Sequence, residues 1–198
     1  MKFDIILAGV GGQGVLSLAT IIAAAATRAG LKVRQSEVHG MAQRGGSVLA
    51  HLRISSDVIH SDLVPRGRAD LILAMEPLEA LRYTDYLGAD GAVVSGIETI
   101  RNIDPYPELA TIMEPLRSIK KHRLIATTAL ARQAGNPKSA NLVLVGAASS
   151  YLPLAEADII ASVSDIFGRK GTEVVALNER AFALGQSAPE ASADEEDE

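Results

Sequence analysis

The chain has 198 residues, is 47 % apolar but only 4 % aromatic, and carries 19 Lys+Arg against 24 Asp+Glu for a formal net charge of −5. At roughly 150 residues per domain this is one compact domain, able to bury a core of Ala, Val, Ile and Leu without a disulfide or structural metal. The absence of cysteine excludes a thiolate nucleophile and a thiolate-held zinc or iron–sulfur cluster in this chain, and a pI near 5.4 excludes the basic footprint of a nucleic-acid binder.

Residues 3–8 read as a short buried strand, followed by a glycine loop and an apolar helix over 15–28 with Gly30 as its stop. The early apolar run is broken by Asp4 and the stretch 15–26 is too short to span a bilayer, so the expectation is a cytoplasmic protein with no export signal and no membrane contact. Residues 32–36 form a candidate second strand, completing a strand–helix–strand unit. Residues 47–54 alternate, with Val48, Ala50, Leu52 and Ile54 on one face and Leu49, His51 and Arg53 on a wetter one. A continuous apolar run over 70–75 suits a central parallel strand, and Glu76-Pro77 opens a helix through Leu81 and Tyr83. Further strands are expected at 91–95 and 123–126. Helices are expected at 128–134, 141–151, 156–167 and 173–185, although 172–177 could begin as a strand.

Strands alternating with helices predict an α/β fold, a three-layer α/β/α sandwich around a mostly parallel sheet, in a single domain over 1–185. The stretch 186–198 holds six acids and no base among Ser, Ala and Pro. Such a composition predicts a solvated, disordered acidic tail.

Two segments carry the functional signal. Gly9-Val10-Gly11-Gly12-Gln13-Gly14 satisfies G-x-G-x-x-G between a strand and a helix. Small residues there permit a tight turn and let an anion approach backbone N–H groups at the helix N-terminus. Glu37 lies 23 positions after Gly14, where an acid could bind a ribose hydroxyl, so a dinucleotide enzyme is one reading. The same glycines also serve simply to turn the chain and pack the helix. Val15-Leu16-Ser17 supplies no Lys-Ser/Thr pair, which excludes a P-loop.

The second segment, Ser36-Glu37-Val38-His39-Gly40-Met41-Ala42-Gln43-Arg44-Gly45-Gly46-Ser47, puts an acid, a histidine, an arginine and three glycines into one expected loop, a composition suited to ligand or partner recognition. His39, His51, His60 and His122 show no metal-ligand spacing, and no catalytic triad or G-x-S-x-G is present. Asp4, Asp62 and Asp70 read as strand-end or loop acids, and Asn141 as a helix cap or polar contact near the sheet.

Taken with Glu76-Pro77-Leu78-Glu79-Ala80-Leu81 and Ala134-Gly135-Asn136, these segments resemble the small (beta) subunit of indolepyruvate ferredoxin oxidoreductases, which is similar to the gamma domain of 2-oxoacid:ferredoxin oxidoreductases. The resemblance spans 3–185. It implies an accessory subunit, inactive alone, that binds no cofactor and contributes no catalytic residue and no metal ligand. The resemblance places thiamine pyrophosphate, Mg and [4Fe–4S] clusters in a large (alpha) subunit. The complex would decarboxylate aryl 2-oxoacids oxidatively with coenzyme A, giving aryl-acetyl-CoA, CO2 and reduced ferredoxin. Gly11, Gly12, Gln13 and Gly14 would then face the shared site, with a coenzyme A phosphate as one candidate ligand. Glu37, His39, Met41, Gln43, Arg44 and Gly45 would shape the subunit interface or the site rim. A stand-alone NAD-dependent oxidoreductase and a pure assembly subunit are the competing expectations.

Overall fold

A computed structural model describes residues 1–39 and 45–191. Among them lie six strands and seven α-helices, with β2, β3 and β4 following one another directly and α4 to α7 closing the chain. The strands are β1 (Lys2–Val10), β2 (Lys32–His39), β3 (Ser47–Ser55), β4 (Ala69–Ala74), β5 (Leu87–Gly96) and β6 (His122–Ile125). The helices are α1 (Val15–Arg28), α2 (Pro77–Arg82), α3 (Leu109–Ser118), α4 (Thr127–Ala134), α5 (Ala140–Ala148), α6 (Glu156–Phe167) and α7 (Thr172–Ser187).

The strands form one sheet in the order β2-β3-β1-β4-β5-β6. β1 pairs parallel to β4, β4 to β5 and β5 to β6, while β3 runs antiparallel between β1 and β2. The mostly parallel α/β expectation holds. Side chains alternate across the sheet, as strand geometry requires. Ile5, Leu7, Leu71, Leu73 and Val94 face a layer built from α1, α4, α5, α6 and α7. Ile6, Ala8, Ile72, Ala74 and Val93 face the opposite layer, with α2 and α3.

Three local features depart from the sequence reading. β2 and β3 are an antiparallel pair in register from Lys32↔Ser55 to His39↔Val48, so Ser36 to His39 continue a strand instead of opening a loop. Helix α3 is not among the expected helices, although Leu109, Ile112, Met113 and Leu116 fall at i, i+3, i+4 and i+7; Pro115 inside it is the residue that argues against a helix. At the other end, α7 runs to Ser187, and Ala188 and Ala191 are buried. Ala191 N–H donates to Leu124 O at 2.8 Å and Leu124 N–H to Glu190 Oε1 at 2.9 Å. Residues 186–191 of the expected tail therefore pack along the β6 edge, and 192–198 lie outside the described residues.

The expected wetter face of β3 is covered by the chain. His51 and Arg53 are 4 % and 8 % exposed. Arg53 donates to Asp4 Oδ1 and Oδ2 at 2.8 and 3.2 Å, and to the carbonyls of Ser61 and Leu63 at 3.0 Å each. Asp4, expected at a strand end, sits inside β1 and is 1 % exposed.

Candidate functional site

The chain leaves β1 toward one face of the sheet through α1 and leaves the neighbouring β4 toward the other face through α2. Such a divergence opens a crevice at the carboxyl ends of the two strands. A cleft of ≈ 760 Å³ lies there.

The glycine loop forms its near wall. A Cβ on Gly9 would lie 2.7 Å from Val15 Cγ2 and 3.1 Å from Met75 Cβ, so only glycine lets α1 and β4 close in at this point. Gly14, the N-cap of α1, is left-handed at φ 88°, ψ 27°, and no side chain caps the helix. Gly14 and Ser17 bring this end of α1 into the cleft wall, with the positive end of the helix dipole behind them. Gln13 is structural as well as lining. Its Oε1 accepts from Val10 N at 2.7 Å and its Nε2 donates to Met75 O at 3.2 Å, tying the loop to β1 and the end of β4.

The far wall comes from distant sequence. Glu98 accepts from Thr127 Oγ1 at 2.8 Å and from Thr128 N, and so serves as the N-terminal cap that α4 lacks locally. Asn136 closes the turn before α5 by accepting from Lys138 N at 3.1 Å. Asn141 and Asn178, both buried, use their Oδ1 atoms within the fold, on Leu142 N and Ser139 Oγ respectively. Among the described residues neither amide nitrogen has an acceptor, and both side chains line the cleft. Lys138 and Lys170 complete it, the latter 5.5 Å from the Phe167 ring centroid. An uncapped helix N-terminus, two ammonium groups and two amide donors suit an extended anionic ligand with a polar body. No group of three or more His, Cys, Asp or Glu among the described residues could hold a metal.

Of the expected ligand loop, Gly12, Gln13 and Gly14 line the cleft, whereas Gly11 does not. Gly11 joins the two motif segments instead: its N–H donates to Gly46 O at 2.8 Å and its carbonyl accepts from Gly45 N at 3.2 Å. Glu37 is exposed on β2, opposite Ala50 of β3, and accepts from Gln35 Nε2 at 3.3 Å. Because β3 separates β2 from β1, Glu37 is one strand further from the glycine loop than a ribose-binding acid would be. His39 closes β2, and Met41, Gln43 and Arg44 lie outside the described residues.

Glu98, Lys138, Phe167, Lys170 and Asn178 were not singled out from sequence. Each stands alone in its segment, and only Asn136-Pro137 carries a local turn signal. Asn141, read as structural, both supports α5 and lines the cleft.

A second polar cluster sits behind the cleft on the first turn of α2, where Glu76 and Glu79 are each 1 % exposed. Glu76 Oε2 accepts from Glu79 N at 2.8 Å, and its Oε1 accepts from Tyr106 Oη and from Ile100 N. Burial raises the Glu76 carboxyl above its ordinary value against these hydrogen bonds. Burial and the adjacent Glu76 carboxylate raise the Tyr106 hydroxyl in turn.

Residues 4–188 match the family model described as pyruvate ferredoxin/flavodoxin oxidoreductase, and the chain belongs to this family. Within it, the chain is similar to oxidoreductase subunits of the indolepyruvate type. It is 41 % identical over 197 residues to indolepyruvate oxidoreductase subunit IorB of Thermococcus kodakarensis, covering 94 % of this chain and 96 % of that one. It is 38 % identical to the IorB subunit of Pyrococcus horikoshii with the same coverage. Among solved structures, 2-oxoglutarate:ferredoxin oxidoreductase from Magnetococcus marinus, with 2-oxoglutarate, coenzyme A and succinyl-CoA bound, matches at TM-score 0.72 and 26 % identity. That match covers 97 % of this chain and 32 % of the other, so the present chain corresponds to about a third of that polypeptide. The gamma subunit of a keto/oxoacid ferredoxin oxidoreductase from Geobacter sulfurreducens shares the fold, at TM-score 0.67 and 23 % identity.

Proposed function

We propose that this chain is the accessory (beta) subunit of an indolepyruvate/arylpyruvate:ferredoxin oxidoreductase and acts in the cytoplasm. The complex would cleave the bond between the carboxyl and carbonyl carbons of an aryl 2-oxoacid, releasing CO2. The acyl group would pass to the sulfur of coenzyme A, and the electron pair would leave on ferredoxin. Thiamine pyrophosphate, Mg and [4Fe–4S] clusters belong, in this reading, to the larger subunit; a chain without cysteine is consistent with that division.

The role of this chain is to bind and orient. The observation that carries the reading is the cleft itself, whose lining joins the uncapped end of α1 with Lys138 and Lys170. This is the charge pattern a phosphate-bearing ligand such as coenzyme A requires. Gly12, Gln13 and Gly14 would support its phosphates, while Glu37, His39, Met41, Gln43, Arg44 and Gly45 would form the rim or the subunit interface. None is assigned a catalytic role, because the redox chemistry belongs to the cofactors. The NAD-dependent alternative is disfavoured by the position of Glu37 beyond β3 and by the commitment of the Gly11 N–H to Gly46.

The test is reconstitution with the large subunit and arylpyruvate-dependent ferredoxin reduction. Lys170→Ala and Lys138→Ala are expected to raise KM for coenzyme A about tenfold each, the loss of one charge-assisted hydrogen bond, with kcat little changed. Unaltered kinetics in both variants would return the cleft to a structural role. Micromolar NAD binding that weakens in Glu37→Ala would favour the dinucleotide reading.

A further inference from the structure

The Glu76-Pro77-Leu78-Glu79 segment is left unexplained by a cleft that none of its side chains lines. Its two acids are among the most buried charged groups of the molecule, at 1 % exposure each. Buried carboxylates are costly unless fully hydrogen-bonded, so what they bond to is informative.

Capping explains only part of Glu76. One oxygen, Oε2, takes the Glu79 N–H at 2.8 Å and caps α2. A shorter Asp, Asn or Ser ordinarily does this. The other oxygen reaches away from the helix to Tyr106 Oη and to Ile100 N, at 3.5 Å, both in the connection between β5 and α3. That connection carries Glu98 and Ile100 into the cleft wall. Glu79 reaches the opposite way. Its Oε2 accepts from Ser47 Oγ at 2.5 Å, at the base of the segment that follows β2, and its Oε1 from Arg82 Nε at 3.2 Å. Tyr83 Oη lies 3.0 Å from the same Ser47 hydroxyl.

The two held segments also meet each other. Asn102 Nδ2 donates to Gly45 O at 2.8 Å, and Gly45 and Gly46 are bonded to Gly11 of the glycine loop. A closed circuit therefore runs from α2 through Tyr106 and Asn102 to Gly45, and back through Ser47 to α2.

We propose that Glu76 and Glu79 are positioning residues, which fix the 97–106 connection and the backbone of Gly45 to Ser47 relative to the glycine loop and so set the shape of the cleft for its ligand. The inference rests on the reading of the cleft as the coenzyme A site. Chemistry favours glutamate at 76 over its amide. Three donors converge on one carboxylate, and a Gln must turn its NH2 toward a backbone N–H, losing either the helix cap on Glu79 N or the bond from Ile100 N, while the Tyr106 hydroxyl can reverse its role and accept.

The clean variant is Tyr106→Phe, which deletes one hydroxyl, with Asn102→Ala as a second if the first does not fold. Amide exchange on the full chain reads the positioning directly, and steady-state kinetics of the reconstituted complex reads its consequence. Exchange over 98–106 is expected to rise about tenfold while β1 and β4 amides are unchanged, and KM for coenzyme A to rise severalfold with kcat preserved. Glu76→Ala should reproduce this shift over 98–106, and combining it with Tyr106→Phe should add little there, because both remove the contact between 76 and 106. Unchanged exchange over 98–106 overturns the proposal, as does faster exchange with an unaltered KM. A wild-type complex indifferent to coenzyme A would overturn the proposed function instead, and together with unchanged exchange it would overturn both.

Discussion

Gly146 of α5 and Gly185 of α7 each admit the backbone of the other helix. A Cβ on Gly146 would lie 2.0 Å from the Phe182 carbonyl oxygen, and one on Gly185 would lie 1.9 Å from that of Val143. Each glycine therefore receives the carbonyl three residues before its counterpart. Exchanging either for alanine improves helix propensity by about 1 kcal/mol. The added methyl meets main chain, which cannot rotate away, so the helices must separate. Gly146→Ala and Gly185→Ala are each expected to destabilise the protein by about 1–3 kcal/mol net, measured by denaturant unfolding. Wild-type stability would mean that the two helices part freely.

Arg123 gathers the C-terminal ends of the same two helices. Its Nη1 donates to Ala147 O at 2.8 Å, and its Nη2 to Gly185 O, Gln186 O and Ala188 O at 3.2, 3.0 and 2.7 Å. A planar fork suits several carbonyls at once, which a single ammonium does not. Arg123→Lys should lower Tm by several degrees and Arg123→Ala by more, since hydrogen bonds to a charged group are worth about 1.5–3 kcal/mol. Ending the chain at Ser187 should also lower Tm by removing Ala188, Glu190 and Ala191. Ending it at Ala191 keeps the contacts of Ala188, Glu190 and Ala191 and serves as the control.

His51 gives stability a pH dependence. Burial, then the nearby Arg53 charge, lowers its pKa from the ordinary 6.5, and its Nδ1 accepts from Val64 N at 3.2 Å, which requires the neutral ring. The unfolded chain then binds a proton more readily than the folded one. Its contribution is present above pH 6.5 and is lost as pH falls from there toward the lowered folded value. Over pH 5–8, wild type should lose more Tm on acidification than His51→Gln. Parallel curves would place the ring proton elsewhere.

Glu76 acts with the opposite sign. Its folded pKa is raised by burial from the ordinary 4.5, so between these values the folded state binds more protons than the unfolded. The contribution is greatest below pH 4.5 and declines as pH rises through the folded value. Relative to Glu76→Gln, which does not titrate, wild type should lose stability as pH rises through this window. A difference that is flat or grows with pH would contradict the assignment.

Much of the fold was legible because the sheet obeys simple periodicities. Ile5 to Ala8 and Leu71 to Ala74 are continuous apolar runs because both faces are covered, and β3 alternates as expected. What escaped depends on chain returning from a distance. His51 and Arg53 looked solvated because the residues that cover them, including Ser61, Leu63 and Val64, carry no pattern of their own. The acids near the C-terminus suggested solvent until Glu190 found the Leu124 N–H. The glycine loop announced one wall of the cleft. The other is made of single polar residues, from Glu98 to Asn178, that are neighbours only after α4 to α7 have packed.

The insertion of β3 between β1 and β2 also constrains the order of assembly. β1 is synthesised well before its partners: Val10 pairs with Ser47, Lys2 with Ser55 and Ile5 with Leu71. The β2–β3 pair is local and can zip soon after both strands emerge, whereas closing the long loop back to β1 is slow. Until then Ile5 to Leu7 form a naked apolar strand, open on both edges to another chain. Nascent chains arrested before Ser55 should therefore be the species that most demand chaperones, and the hairpin is the element whose arrival ends that exposure on one side.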